Sequence, residues 1–469
     1  MQLVLSLTGL IRNKILTVKL GPAAFGEFTQ IISAMSVVYV LVSFGMGVGL
    51  SRNVAKSEDH AERQKYLSTA NTIIIILSFI SFFVVNLMLF NLKLYDSLAI
   101  RNDATGIFVI LILCVAIPFE ALKNNYIAFL QGILDIKGLA SKRSLAVIIA
   151  TLVSIPIVWI YGFIGAAFQF LILSSLLTLL LHFRCRKLGF YPLKIFLNKE
   201  VAFSLGGFGL VSLVSGFSQS FADAAIRANL IKIAGVTDNG ILQSGLVLSQ
   251  TVKSIVLGSI GSYALATIAK YKDPVEISHN IDQLLKVVLP VAVCFLGILG
   301  ILSVPILWCL YSLSFVTANQ YFPFMLAGDL LITFVWVIGA PLLAFGDRIL
   351  WLSLDLLYTL NRWLVAMLLI PHVKGLGYVY GYFIAAFIHL LLILIIFKYK
   401  YRLHLTKNNY VNLAGGVILT FILAEFGIKS SESILYMLFG LFLVILYCLY
   451  FAKQHQLFRK LQPYTKGEQ

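Results

Sequence analysis

Charge is what this chain has least of. Only 12% of its 469 residues are Asp, Glu, Lys or Arg, against 60% hydrophobic, where a soluble domain carries about 25% charged residues. No long polar segment interrupts the apolar runs, so a soluble or disordered chain is excluded. Alternating strand-type patterning is missing as well, which argues against a β-barrel. Cysteine is scarce: Cys114, Cys185, Cys294, Cys309 and Cys448 show no paired spacing, and four sit in apolar runs. Neither a disulfide framework nor a metal site is expected. The chain has no Gly-x-x-x-x-Gly-Lys-Ser/Thr loop for ATP phosphates, no His-Glu-x-x-His helix and no nucleophile elbow. Its seven His residues form no ligand cluster. No cofactor is implied, and no enzymatic activity is expected.

Long apolar runs fill nearly the whole chain instead. At about 20 residues per bilayer crossing, it reads as an all-α membrane protein with about 14 transmembrane helices. The first expected spans cover 1–18 and 27–50, and the last cover 409–428 and 432–452. The first is expected to stay in place rather than act as a cleaved signal, because its cations lie late in the run and further spans follow at once. Acids are outnumbered by bases, giving a net charge of +16. In a soluble protein that excess would suggest nucleic acid. Here most loop cations follow even-numbered spans, such as Arg52, Lys56, Arg63 and Lys65, then Arg184, Arg186 and Lys187, or lie in the C-terminal tail. Cytoplasmic loops collect Lys and Arg, so both termini are predicted to be cytoplasmic and no nucleic-acid partner is expected.

The spans repeat. "KLGPAAFGEFTQ" (19–30) aligns with "IAGVTDNGILQS" (233–244), pairing Gly21 with Gly235 and Gly26 with Gly240 at one offset of 214 residues. The same offset pairs Gly47 with Gly261, Gly132 with Gly346, and "VAK" (54–56) with "IAK" (268–270). Spans 1–6 and 7–12 therefore read as two copies of a six-helix unit. An even number of spans per copy predicts a pseudo-twofold along the membrane normal, with a site between the halves near the midplane. The expected organisation is an N-terminal lobe at 1–200, a C-terminal lobe at 201–404, and two additional helices with a cytoplasmic tail at 405–469.

Residues 19–55, from the Leu-Gly-Pro-x-x-Phe-Gly turn to a second helix ending in Gly and Arg, resemble the start of the O-antigen and polysaccharide flippases. "AFLQGILDIKGLASKRS" (128–144) resembles that family's Gln-Gly loop after span 4, and "GFSQSFADAAIRANLIKIAGVTDNGI" resembles its second-half counterpart. The family belongs to the multidrug/oligosaccharidyl-lipid/polysaccharide exporter superfamily. The resemblance implies a MATE-like, two-lobed transporter that moves undecaprenyl-diphosphate-linked oligosaccharide across the bacterial inner membrane. It also implies that cations at the start of the first helix contribute, with Arg12 in a comparable place, and that the last two helices form a groove for the lipid tail. A glycan polymerase and a chain-length regulator are the implied partners.

Ionisable residues inside the bilayer mark function by default, because inserting them costs several kcal/mol unless they are paired or hydrated. The candidates for binding a diphosphate are Arg12, Lys123, Arg227, Lys253 and Arg362, with Lys14 beside Arg12; Arg suits phosphate through its bidentate fork. Gln219 and Gln250 suit sugar hydroxyls. Glu120, Asp223 and Asp329 are candidates for coupling to H⁺ or Na⁺, because a buried carboxylate gains a proton readily. Span 7 concentrates these groups: Ser212, Ser215, Gln219, Asp223 and Arg227 form one polar stripe. Two local pairings compete with a ligand role, Asp223 with Arg227 at i, i+4 and Glu120 with Lys123 at i, i+3. Asp355 is expected to be structural. The rival functions are a multidrug/cation antiporter on the same fold, which would carry an acidic cavity, and an integral-membrane glycan polymerase, which would carry a large outer loop. Short outer loops and an excess of cations disfavour both.

Overall fold

In hydrocarbon every backbone amide needs a partner within the protein, which leaves helices as the spanning solution for a chain patterned like this one. The computed structural model describes residues 2–88, 92–268 and 273–454. Among these residues all regular structure is helical. The first half comprises α1 (Gln2–Ser43), α2 (Met46–Lys56), α3 (His60–Met88), α4 (Leu92–Leu98), α5 (Ala104–Gly132), α6 (Ile136–Lys187) and α7 (Lys199–Ala234). The second comprises α8 (Val236–Ile268), α9 (Pro274–Ile301), α10 (Ser303–Leu310), a 3-10 segment (Leu313–Tyr321), α11 (Phe322–Ala344), α12 (Arg348–Val373), α13 (Gly375–Tyr399), α14 (Lys407–Lys429) and α15 (Ile434–Gln454).

Among the described residues eleven helices are long and apolar enough to cross a membrane, or twelve if the bent pair Lys199–Gly207 and Gly209–Ala234 is one span. This is fewer than the fourteen expected from sequence. The difference sits in two continuous runs, Val4–Lys56 with 53 residues and Ile136–Lys187 with 52, each covering two expected spans. At 1.5 Å per residue either run would reach about 80 Å, against about 30 Å of hydrocarbon. The first run also turns at Phe44 and Gly45, between α1 and α2; inside α1 and α6 themselves there is one break each, Gly21 at φ 71°, ψ 176° and Gly162 at φ 53°, ψ −116°. Both conformations are closed to ordinary L-residues. Gly165 then lies against the Ile157 carbonyl, so the two halves of α6 fold back on each other.

The chain forms two compact units, residues 1–243 with 310–314 and 348–378, and residues 244–309 with 315–347 and 379–469. In the first, α5 packs along α6, α1 packs against α6 and α7, α2 lies against α5 and α7, and α12 lies along α7. In the second, α14 packs against α9 and α11, and α15 against α9. Small residues bring these helices close: Gly300 touches Ala424, and Gly416 touches Val293 and Leu330. The buried Asp282 of α9 accepts the Thr406 amide at 3.0 Å and the Asn409 side-chain amide at 2.6 Å, so a carboxylate from α9 caps α14. Cys294 and Cys448, which show no pairing in sequence, stand with their Sγ atoms 2.8 Å apart between α9 and α15.

The repeated glycines meet in the first unit. A Cβ on Gly26 would run into the Val236 carbonyl and the Gly240 amide, and a Cβ on Gly240 into the Pro22 carbonyl and the Gly26 amide. Such reciprocity is what equivalent surfaces produce around a twofold. The turn glycines match as well: Gly21 and Gly235 share an extended, positive-φ backbone, the latter at φ 91°, ψ 166°. A second close approach pairs Gly45 with the Gly209 carbonyl. Two residues of the repeat match, Ala269 and Lys270, and the tail beyond 454 lie outside the described residues.

This contact generates a prediction. Gly26→Ala or Gly240→Ala forces backbone apart, and overpacking of this kind costs about 1–3 kcal/mol. The folded fraction by size-exclusion chromatography and the midpoint of thermal unfolding should both drop. Gly206→Ala, on α7 with no heavy atom near its Cβ position, should leave both unchanged or raise them.

Candidate functional site

The polar stripe of α7 finds its partners on α12. Asp355 accepts hydrogen bonds from the Ser215 hydroxyl and from Gln219 Nε2, the latter at 2.9 and 3.0 Å. Two turns further along α12, Arg362 Nη2 stands 2.9 Å from Asp223 Oδ1, and the Tyr378 hydroxyl donates to the same oxygen at 3.3 Å. The local pairing of Asp223 with Arg227 along α7, the alternative to a ligand role, is therefore not formed. α12 lies along α7 closely enough to offer Arg362 instead.

Arg227 is instead buried among neutral groups. It is 7% exposed. Nη1 donates to Asn239 Oδ1 at 3.1 Å, Nη2 donates to Gln243 Oε1, and the guanidinium lies 6.0 Å from the Tyr378 ring centre. Nε is buried without a hydrogen-bond partner among the described residues. Asn239 in turn donates to the Gly26 carbonyl at 2.8 Å, which ties the guanidinium to the glycine contact. No carboxylate lies within ion-pair distance of Arg227 among the described residues. Its charge is held by amide oxygens and an aromatic face.

The other cations of the first unit divide in the same way. Arg12 of α1 reaches Thr151 of α6 at 3.5 Å, with no carboxylate in ion-pair range among the described residues. Lys14 donates to the Tyr311 carbonyl at 2.5 Å. Lys123 pairs with Glu120 on its own helix, as i, i+3 spacing allows, and Ser174 adds a hydrogen bond to Glu120 at 2.7 Å.

In the second unit the expected cation and the expected carboxylate are one pair. Lys253 Nζ stands 2.7 Å from Asp329 Oδ1, and the Tyr382 hydroxyl donates to the same oxygen at 2.7 Å. Ser249 donates to the other carboxylate oxygen. Asp329 is fully buried, so this group is neutral as a whole. Gln250, one residue beyond Ser249, is exposed and does not join it.

Lys253, Arg362 and Lys123 are thus each paired with an acid, and only Arg12 and Arg227 of the five candidate cations keep neutral partners among the described residues. Sequence reasoning missed Tyr378, Tyr382 and Asn239. The two tyrosines are four residues apart in an otherwise apolar run, a spacing that puts both hydroxyls on one side of α13. Asn239 carries no such signal.

The chain is similar to proteins with named activities. The Lipid III flippases of Escherichia coli (strain K12) and Shigella flexneri are each 23% identical to it over 344 residues, covering 72% of this chain and 81% of theirs. Among solved structures, the Lipid II flippase MurJ in an inward closed conformation matches with a TM-score of 0.73 at 17% identity over 97% of both chains. An inward-facing multidrug resistance MATE family transporter of the MOP superfamily matches at 0.63 and 17% identity, covering 85% of this chain and 95% of its own. These likenesses carry the fold, a multi-pass all-α membrane architecture of the MATE and MurJ type. A family model described as polysaccharide biosynthesis protein matches residues 1–272, more than half of the sequence, and the chain belongs to that family.

Proposed function

We propose that this protein is a flippase that carries an undecaprenyl-diphosphate-linked oligosaccharide, an O-antigen or capsule repeat unit, across the bacterial inner membrane by alternating access. The observation that carries this reading is Arg227: a buried guanidinium inside a membrane helix, held by Asn239, Gln243 and Tyr378 rather than by an acid. A cation left in that state attracts an anion strongly, because low dielectric amplifies the interaction. A diphosphate is such an anion, and losing its water on the way through the bilayer is the step that needs help. The named activity of the Lipid III flippases adds support. Both termini are assigned to the cytoplasm, on the distribution of loop cations.

Arg12 and Arg227 are assigned to the diphosphate. Gln219 and Gln250 are assigned to sugar hydroxyls, and the hydrocarbon tail stays in lipid. Arg362, Lys253 and Lys123 enter by partner exchange. Protonating Asp223, Asp329 or Glu120, or giving the carboxylate to Na⁺, frees the cation it holds for the incoming phosphate, so ion binding and substrate binding become linked. A downstream glycan polymerase and chain-length regulator would take the product. A cation antiporter on the same fold would need a site dominated by acids, and Arg227 and Arg12 work against that.

Two predictions follow from these roles. In cells whose surface glycan depends on this chain, Arg227→Ala and Arg12→Ala should cut glycan display and accumulate the lipid-linked precursor at unchanged protein level. Losing one charge-assisted contact costs about 1.5–3 kcal/mol, or about ten- to hundredfold in rate at about 1.4 kcal/mol per decade. Wild-type display in both variants would overturn the phosphate role. In proteoliposomes, an imposed H⁺ or Na⁺ gradient should speed flipping by the wild type, and Asp223→Asn should remove that dependence. Equal rates with and without a gradient would exclude coupling.

A further inference from the structure

A groove of about 850 Å³ runs through the first unit between α1, α3, α4 and α7. Its walls are almost wholly apolar. The α7 wall extends from Phe217 to Lys232, about 22 Å at 1.5 Å per residue. Phe217 and Phe221 stack there, 6.1 Å apart and 14° from parallel.

Apart from Ser81 on the α3 wall, the polar groups of the groove come from the α4 segment and the last turns of α7. Tyr95 and Ser97 come from the first, Asn229 and Lys232 from the second, and α4 packs against α7. Tyr95 is 4% exposed, yet its hydroxyl has no hydrogen-bond partner among the described residues. A buried hydroxyl without a partner is unfavourable, and a lipid head would relieve it. The buried Gln30 fixes this end by donating to the Leu98 carbonyl at 2.6 Å and the Ala224 carbonyl at 3.3 Å. Lys232 is exposed and forms no ion pair among the described residues.

We propose that this groove binds one acyl chain of an anionic glycerophospholipid, with its phosphate at Lys232 and Tyr95. The length decides the occupant. One leaflet of hydrocarbon is about 15 Å deep, half of about 30 Å, so a single acyl chain with the start of its head group fits along α7. A polyprenyl chain many isoprene units long overruns it. The cation at the polar end selects an anionic head over a zwitterionic one. This lipid is a resident ligand, separate from the transported substrate, and the proposal stands whether or not the glycan assignment does.

The test uses the purified full-length protein in detergent, delipidated and then offered phosphatidylglycerol, phosphatidylcholine with identical acyl chains, or a polyprenyl phosphate, with retained lipid counted by native mass spectrometry. One phosphatidylglycerol per chain should be retained, at least fivefold over phosphatidylcholine. Lys232→Gln should remove that preference and Lys232→Arg should keep it. Ala225→Trp should block the groove and abolish retention; if that variant fails to fold, Val84→Trp on the α3 wall provides the same block. No retained lipid, equal retention of the two lipids, retention unchanged by Lys232→Gln and the tryptophan variants, or a preference for a polyprenyl phosphate would overturn the proposal.

Discussion

Two glycines in contact tie together the first unit. Gly26 and Gly240 occupy equivalent places in the repeat, and each presses on the backbone of the other's turn. No side chain fits between them, so α1 just past its break at Gly21 and the start of α8 are fixed at a separation only hydrogen atoms permit. Gly21 and Gly235 supply the backbone geometry that brings each turn to this point. From here one amide reaches the candidate site: Asn239 donates to the Gly26 carbonyl and accepts from Arg227. The position of the buried guanidinium is thus referred to the backbone of the opposite turn. It does not depend on a flexible counter-ion.

The remaining intramembrane charges obey one rule. Where a facing helix offers an acid, the cation takes it, as with Arg362 and Asp223, or Lys253 and Asp329. Tyrosine hydroxyls from α13 complete both carboxylates. The desolvation that makes a lone charge expensive in hydrocarbon explains this economy. It also makes the exceptions informative, since Arg227 and Arg12 are held by neutral oxygens among the described residues.

The fold was legible in the sequence because hydropathy and glycine spacing act over whole helices. The repeat could be read from Gly21, Gly26, Gly235 and Gly240 because each performs a task that no residue with a side chain performs. The charged residues were found for the same reason: in an apolar helix they cannot hide. Their pairings were not legible. Helical spacing suggested Asp223 with Arg227, but the choice of Arg362 depends on how α12 lies along α7, which no local pattern states. Lys123 with Glu120 was anticipated because that pair needs only its own helix. Gly162 marks a hairpin so tight that no loop separates the two expected spans it joins. Cys294 and Cys448 escaped notice because they lie far apart in the chain and meet only through packing of α9 and α15.

Asp282 reaches from α9 to the Thr406 amide at the start of α14, one of the groups a helix leaves bare there, and to the Asn409 side-chain amide. An end cap supplied by a neighbour sets registry. Were α14 to slide along α9 by one turn, the buried carboxylate of Asp282 would lose its donors and stand unpaired. The glycine seam at Gly300, Gly416 and Gly427 would lose its fit in the same displacement. α9 and α14 therefore travel as a single strut through any motion of the protein, and hinge bending must fall elsewhere.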